Sequence, residues 1–230
     1  MENKSEKKES NLMEKAYREI KSMIFQQMFG PGQKLIYRNL AERLNMSKTP
    51  IMYALGRLQQ EGFVELTPDV GYSVKEIDIK ELEDLFDLRE ALEAHAVLLA
   101  IRNQTANGLK ILEKKIQEHR EYLPLVYDRK KLILDANVHL EIAQLSGNNM
   151  LVKQLRQIFE HIYLRHRVEL MHPARIPIAP KEHLKIIGAI RKRDYSDAQE
   201  LIRCHVKAAK ENMIAIHSRE EEIYGALEHF

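Results

Sequence analysis

The chain has 230 residues, 44% of them apolar and none of them tryptophan, which is enough for two modest hydrophobic cores. Its 36 basic and 34 acidic side chains leave a net charge of only +2, so charge alone does not indicate a nucleic-acid partner. The N-terminal residues are charged, no apolar run reaches the length of a membrane span, and the lone Cys204 excludes an internal disulfide bond. We therefore expect a cytoplasmic protein with no membrane partner.

Local patterns divide the chain into three parts. Residues 1–10 are polar and charged, and we expect a flexible tail there. Residues 11–76 contain helix, turn and strand signals, whereas residues 77–220 show only helical periodicity. The prediction is a mainly α protein with a small N-terminal domain followed directly by an all-α domain.

The N-terminal domain contains the signals of two helices joined by a sharp turn. Residues 40–44 form a short helix with one apolar stripe, and residues 45–48 favour a turn. Thr49 is predicted to be the N-cap of the second helix, with Pro50 in the first helical position, where a missing N–H costs nothing.

The second helix is followed by the pattern of a β-hairpin. Gly62 ends the helix, residues 63–66 and 72–74 read as strands, and residues 68–71 supply the turn. This order predicts a winged helix-turn-helix, whose second helix can enter the major groove of DNA. A small helical domain that makes only protein contacts remains the alternative.

The rest of the chain predicts an antiparallel helical bundle of six helices. Breaks are expected after residue 103, at residues 122–124 and 146–148, and in the segment that contains Pro173, Pro177 and Pro180. The apolar stripes of the six helices lie at about residues 82–96, 106–121, 124–145, 149–170, 180–192 and 195–218.

Three of these helices place polar groups on apolar faces. Asp135 and His139 are spaced i, i+4 and share one face, while His183 and His205 lie within apolar stripes of later helices. Three imidazoles and a carboxylate suit a divalent transition metal, and they do not suit the all-oxygen shells of Ca or Mg. From spacing alone, four separate core residues satisfied by hydrogen bonds remain possible. The other histidines, among them His95 and His119, form no comparable set.

Several motifs in the first domain resemble the GntR family of bacterial regulators. They are Pro31-Gly32, the helix that begins Leu40-Ala41-Glu42, the turn Ser47-Lys48-Thr49-Pro50, and Leu58-x-x-Glu61-Gly62. The resemblance implies DNA binding, although Met52 stands where the family usually has an arginine, so the usual operator is not carried over. A solvated surface charge is the alternative interpretation of Arg38, Lys48 and Arg57, and it is the favoured one for Arg57. The candidate DNA contacts are Arg38, Lys48, Thr49, Met52, Tyr53, Arg57 and Tyr72.

The second domain resembles the FCD domain of the FadR-like branch of that family, in its six-helix VanR-type variant. The matching segments are residues 88–93, Asp135-x-x-x-His139 with residues 143–148, Glu182-His183 and Arg203-Cys204-His205. The resemblance implies that Asp135, His139, His183 and His205 bind a divalent metal, Zn or Ni, beside a small organic acid. Arg89 is the first candidate for the acid, with an ion pair to Glu93 as its alternative. Weaker candidates are Tyr163, Arg165 and His166.

Together these features predict a homodimeric transcriptional repressor that binds a near-palindromic operator in double-stranded DNA and responds to a carboxylate effector. One alternative is a metalloregulator, in which the ion itself is the signal. A metal-dependent hydrolase with Glu141 or Glu182 as general base is a more distant alternative.

Overall fold

The computed structural model describes the backbone of residues 4–76, 78–165 and 173–227, and the side chains of residues 9–76, 78–162 and 173–215. The chain separates into two compact units, Met1–Ile77 and Asp78–Phe230. The described residues are mainly helical and contain one two-stranded sheet, so the predicted fold class is confirmed.

The N-terminal unit consists of three helices and a hairpin. The first helix begins at Lys4, inside the stretch that was predicted to be a flexible tail. Lysine and glutamate propagate a helix well, and residues 4–11 are polar on all sides, so no apolar stripe reveals this part of α1 in the sequence. The elements are α1 (Lys4–Phe25), α2 (Tyr37–Leu44), α3 (Lys48–Gln60), β1 (Val64–Thr67) and β2 (Gly71–Val74).

The turn between α2 and α3 depends on Asn45, which adopts a left-handed conformation with φ 50°. Asparagine tolerates this conformation, and the turn places the Met46 N–H on the Ala41 carbonyl. The predicted cap of α3 is wrong: Ser47 is the N-cap residue, and Thr49 lies within the first turn. Pro50 is tolerated there because the N–H groups of the whole first turn lack helical partners.

The hairpin follows α3 after Gly62, which has a φ of 77°. Val64 pairs with Val74 and Thr67 with Gly71 in antiparallel register. The chain before α2 runs along the other edge of β2, because the Leu35 N–H donates to the Tyr72 carbonyl at 2.8 Å. The N-terminal unit is thus the expected winged helix-turn-helix.

The C-terminal unit contains six helices in its described residues. Its third helix starts at Arg129 and not near residue 124, because Asp128 caps it by accepting a bond from the Lys131 N–H. Pro180 was expected in a break but lies inside a helix. The helices are α4 (Ile79–Asn103), α5 (Ala106–Glu121), α6 (Arg129–Leu145), α7 (Asn149–Arg165), α8 (Arg175–Lys192) and α9 (Tyr195–Leu227).

The core of this unit is built from the inward faces of all six helices. Phe86, Val97, Leu155, Ile186 and Ile202 are among its buried members. Within the described residues, no helix is both long enough and apolar enough to cross a membrane.

Candidate metal centre and nucleic-acid interface

Four potential metal ligands from three helices converge in the bundle. Helix α6 supplies Asp135 and His139, α8 supplies His183 and α9 supplies His205. One ligand atom of each residue lies within 4.8 Å of the ligand atoms of the other three. The three histidines are at most 2% exposed, and the side chain of Asp135 is 13% exposed.

The spacing of these atoms fits a transition-metal ion. The Nε2 atom of His139 lies 3.1 Å from that of His205, and the Nε2 atom of His183 lies 3.3 Å from each of them. An ion held at about 2.0–2.1 Å by tetrahedral nitrogen ligands separates those ligands by about 3.3–3.4 Å. The Oδ1 atom of Asp135 is buried without a hydrogen-bond partner among the described residues, as expected for an oxygen reserved for a cation.

Two carboxylates fix the orientation of two of these imidazoles. The Nδ1 atom of His139 lies 2.5 Å from Glu93 Oε2, and the Nδ1 atom of His205 lies 2.7 Å from Glu182 Oε2. An Nδ1–H that donates to a carboxylate leaves Nε2 as the lone-pair nitrogen, which is the arrangement that supports metal-binding histidines. The cluster therefore has supporting carboxylates as well as four candidate ligands. Neither glutamate was predicted in this role.

The electrostatics of the cluster favour charged carboxylates and neutral imidazoles at His183 and His205. For His139, burial lowers the pKa but the neighbouring Glu93 raises it above its usual value. Burial raises the pKa of Glu93, but His139 and Arg89 outweigh that effect and lower it to about 2. Burial also raises the pKa of Asp135, and its bond to His139 and the nearby His183 bring it well below its usual value. For His183, burial and the neighbouring His205 both lower the pKa well below the usual value. A neutral imidazole and an ionised carboxylate are the forms that bind metals.

His119 is a fifth residue of this cluster that sequence reasoning set apart. It is fully buried on α5, and its Nδ1 atom lies 3.3 Å from His183 Nδ1 and 3.9 Å from Asp135 Oδ1. One of the two facing Nδ1 atoms must donate and the other accept, so His119 holds the ring of His183 in place. Its i, i+3 spacing to the buried Ile116 was the signal that it faces inward.

The buried position of His119 predicts a pH-dependent stability. Burial lowers the pKa of His119 from 6.5 to about 4, so between those values the unfolded chain binds a proton that the folded chain does not. Stability must then fall as the pH drops below about 6.5. Urea denaturation in chelator should show that His119→Gln loses less stability than the parent protein between pH 7 and pH 5, by about 2 kcal/mol. The exposed His95→Gln is the control, and equal pH dependence in all three proteins would contradict the assignment.

Arg89 lies at the boundary between the ligand cluster and a small cavity. Its Nε atom donates to Glu93 Oε1 at 2.6 Å, and one of its terminal nitrogens lies 3.0 Å from His139 Nε2. Its guanidinium also lies 4.6 Å from the ring centroid of Phe159. The ion pair with Glu93, which the sequence offered as the alternative to an effector contact, is thus present, and Arg89 also lines the cavity.

The cavity is partly open and has a volume of about 30 Å³, which is enough for at least one water molecule. Its polar wall includes Arg89, Asp135, Arg175 and His205, and its apolar wall includes Phe86, Leu132 and Phe159. Arg175 forms a two-pronged ion pair with Glu182, with both N–O distances at 3.0 Å. The sequence gives no signal for Arg175, because it lies in the proline-containing segment where the pattern predicts a break.

The other predicted effector contacts cannot be placed at the cavity. His166 lies outside the described residues, and the side chains of Tyr163 and Arg165 at the end of α7 are outside them as well. The proposed general bases of a hydrolase do not stand free beside the cluster. Glu182 is paired with Arg175 and His205, and Glu141 does not line the cavity.

In the N-terminal unit, two of the predicted DNA contacts are exposed cations beside one tyrosine. The Nε atom of Arg38 donates to the hydroxyl of Tyr37 at 3.2 Å, and the ammonium of Lys48 lies 4.9 Å from the centroid of the Tyr37 ring. Arg38 lies at the N-terminal end of α2 and Lys48 at the N-terminal end of α3, and both side chains are accessible to an anion.

Arg57 makes several contacts inside the N-terminal unit. It donates to Glu14 at 2.6 Å and to Glu61 at 3.2 Å, and its guanidinium lies 3.7 Å from the centroid of the Tyr17 ring. The remaining candidates are accessible: Thr49 and Tyr53 are exposed, and Met52 and Tyr72 are partly buried. Met52 and Tyr72 line an open pocket between α3 and the hairpin, and the volume of this pocket is about 410 Å³.

Each of the two units matches a known protein family. Residues 12–74 match the family described as bacterial regulatory proteins, gntR family, and residues 84–208 match the FCD domain. The solved structure of Escherichia coli McbR/YncC has the same fold: its TM-score is 0.74 at 23% sequence identity, over 91% of this chain and 98% of that one.

Three relatives are named as transcriptional regulators. The Nta operon transcriptional regulator of Aminobacter aminovorans is 28% identical over 188 residues, 82% of this chain and 88% of that protein. The HTH-type transcriptional regulator McbR of Escherichia coli strain K12 is 28% identical over 176 residues, 71% of this chain and 75% of that protein. The HTH-type transcriptional repressor RspR of the same strain is 21% identical over 201 residues, 86% of each chain. The chain therefore belongs to the gntR family of bacterial regulatory proteins, as a DNA-binding transcriptional regulator with an FCD domain.

Proposed function

We propose that the protein is a homodimeric repressor whose FCD domain binds one divalent transition metal, Zn or Ni, together with a small carboxylate that changes its affinity for DNA. The observation that carries this proposal is the buried cluster of Asp135, His139, His183 and His205 beside a cavity lined by two arginines. The metal would supply a positive charge and open coordination positions, and the surrounding side chains would orient the ligand.

The charges around the cavity favour a ligand with a single carboxylate. Asp135, Glu93 and Glu182 are carboxylates that contact the histidines, while Arg89 and Arg175 are the guanidiniums that line the cavity. These groups together carry one net negative charge, and a divalent cation would change it to one net positive charge. One carboxylate would neutralise that charge, whereas a second would leave a buried anion without a partner. The apolar wall suits a short hydrocarbon remainder.

The repressor and dimer parts of the proposal rest on relatives and on symmetry. One relative is named a repressor, and helix-turn-helix regulators read two half-sites through a two-fold dimer. The operator would then be a near-palindrome. A ligand can change the DNA affinity of such a dimer only if it binds the two arrangements of its DNA-binding heads unequally.

A direct test combines genomic DNA selection with ligand titration. Fragments bound by the purified protein would be labelled, and fluorescence anisotropy would give the Kd of metal-loaded protein with a series of monocarboxylates from acetate to benzoate. We expect one of them to change the Kd between about 5- and 150-fold, which is the usual range of allosteric coupling. If no acid changes the Kd of loaded protein more than twofold, the effector part of the proposal fails.

A metalloregulator is the second candidate, and the small size of the cavity favours it. About 30 Å³ accommodates a water molecule on a bound ion without any rearrangement of side chains. This candidate requires that the Kd for DNA follow the concentration of free Zn or Ni in the absence of any acid. The same anisotropy assay, run with metal buffers alone, separates it from the carboxylate sensor.

A further inference from the structure

The exposed face of α3 is unusual in its chemistry for a helix that reads DNA. Its opposite face is buried in the N-terminal unit through Ile51, Ala54, Leu55 and Leu58. The exposed face begins with Thr49, continues with Met52 and Tyr53, and reaches Gly56 one turn later. The first residues of the second helix are the ones that contact base edges in a helix-turn-helix.

Neither cation of α3 occupies the middle of this face. Arg57 is held by Glu14 and Glu61 over the ring of Tyr17, and Lys48 lies over Tyr37 at the start of the helix. Both are therefore better placed for phosphates or for internal support than for a base at the centre of the helix. Arginine and lysine are the side chains that recognise guanine through its O6 and N7 atoms, so the centre of the face lacks the usual means of doing so.

The groups that do stand at this centre are the thioether of Met52 and the phenol of Tyr53, which carry no charge and present mainly apolar surface. Met52 is partly buried between two concave surfaces, one shared with the hairpin and one with Tyr53 and Gly56. Tyr53 is 46% exposed. A methyl or methylene added at Gly56 would meet no atom within 4 Å, so the helix leaves open space beside both side chains. Apolar side chains recognise the C5-methyl group of thymine in the major groove, which cytosine lacks.

We propose that Met52 and Tyr53 determine operator specificity by contacting thymine methyl groups, so that each half-site has A·T pairs where the centre of α3 meets the groove. This specificity concerns the N-terminal unit alone. It does not depend on the metal or on the effector of the FCD domain.

Removing single methyl groups from the DNA tests this proposal. Operators selected from a random library by the full-length protein would be resynthesised with deoxyuridine in place of one thymine at a time. Uracil keeps the Watson–Crick and groove hydrogen bonds of thymine and lacks only the methyl group. At one or two positions in each half-site we expect the Kd to rise about fourfold, the effect of exposing one buried methyl-sized group.

Variants then assign those positions to side chains. Met52→Ala should bind the parent operator more weakly and should no longer distinguish thymine from uracil at one of them, whereas Met150→Ala, an exposed methionine of the FCD domain, should retain the difference. Met52→Arg, selected on the same library, should prefer guanine at that position. The proposal is overturned if uracil is tolerated at every position, or if Met52→Ala and Tyr53→Ala both retain the full response to the methyl groups.

Discussion

Replacement of His183 by alanine is expected to remove the bound metal. The residue supplies one of three Nε2 atoms that lie 3.1–3.3 Å apart. Substituting residues that only support a ligand usually weakens metal affinity 10- to 100-fold, so loss of a ligand itself should exceed about 100-fold. Elemental analysis after dialysis against a weak chelator should find about one metal per chain in the parent protein and less than about a tenth in the variant.

The control for this experiment is His95→Ala, because His95 is exposed on α4 and lies outside the cluster. His183→Gln provides a second variant that fills more of the buried space, so that loss of metal can be separated from loss of fold. Circular dichroism should show helical spectra for all of them. Unchanged metal content in His183→Ala would contradict the metal centre.

Replacement of Arg89 by methionine is expected to be among the most destabilising single changes in the FCD domain. Arg89 and Glu93 are each 3% exposed, and their ion pair spans 2.6 Å. Without the guanidinium, Glu93 remains as a buried carboxylate whose remaining partner is His139, and breaking such a pair costs about 3–5 kcal/mol. Urea denaturation followed by circular dichroism would measure the loss.

An exposed ion pair between α9 and α4 offers a matched control, Arg203→Met. Arg203 pairs with Glu90 of α4 at the same N–O distance of 2.6 Å, but its side chain is 46% exposed. Loss of a surface pair of this kind changes stability by no more than about 1 kcal/mol. Arg89→Met combined with Glu93→Gln should recover part of the stability that the single change removes, because no buried charge is then left alone. Equal effects of Arg89→Met and Arg203→Met would show that burial of the first pair has no energetic consequence.

Local evidence identified the four candidate ligands, and the resemblance to the FCD domain implied that they form one set. Asp135 and His139 share a helix face at i, i+4, and His183 and His205 interrupt apolar stripes. The supporting residues could not be found in the same way. Glu93 reads as the partner of Arg89 at i+4, and its second contact, with His139, joins residues 46 positions apart. His119 meets His183 across 64 positions. Such contacts depend on how helices pack, which no local pattern specifies.

The errors in the fold concern boundaries, and they have local causes. A helix can begin before its first apolar residue, as α1 does at Lys4, and proline is tolerated in the first turn, as Pro50 is in α3. Asp128 was a stronger start signal for α6 than the apolar residues before it. The order of elements depended instead on the apolar stripes and turn residues, which the chain displays clearly.

Pro180 gives α8 a weak point close to the ligand cluster. The residue has no N–H, so the helix lacks the backbone bond that this position would donate to the preceding turn. Two hydrogen bonds from Arg175 to Glu182 connect the residues before and after Pro180. The carboxylate of Glu182 thus supports the helix around Pro180 and also orients His205. An anion that attracted Arg175 toward the cavity would weaken its bonds to Glu182 and so loosen the first two turns of α8. Binding in the cavity would then change the flexibility of that helix.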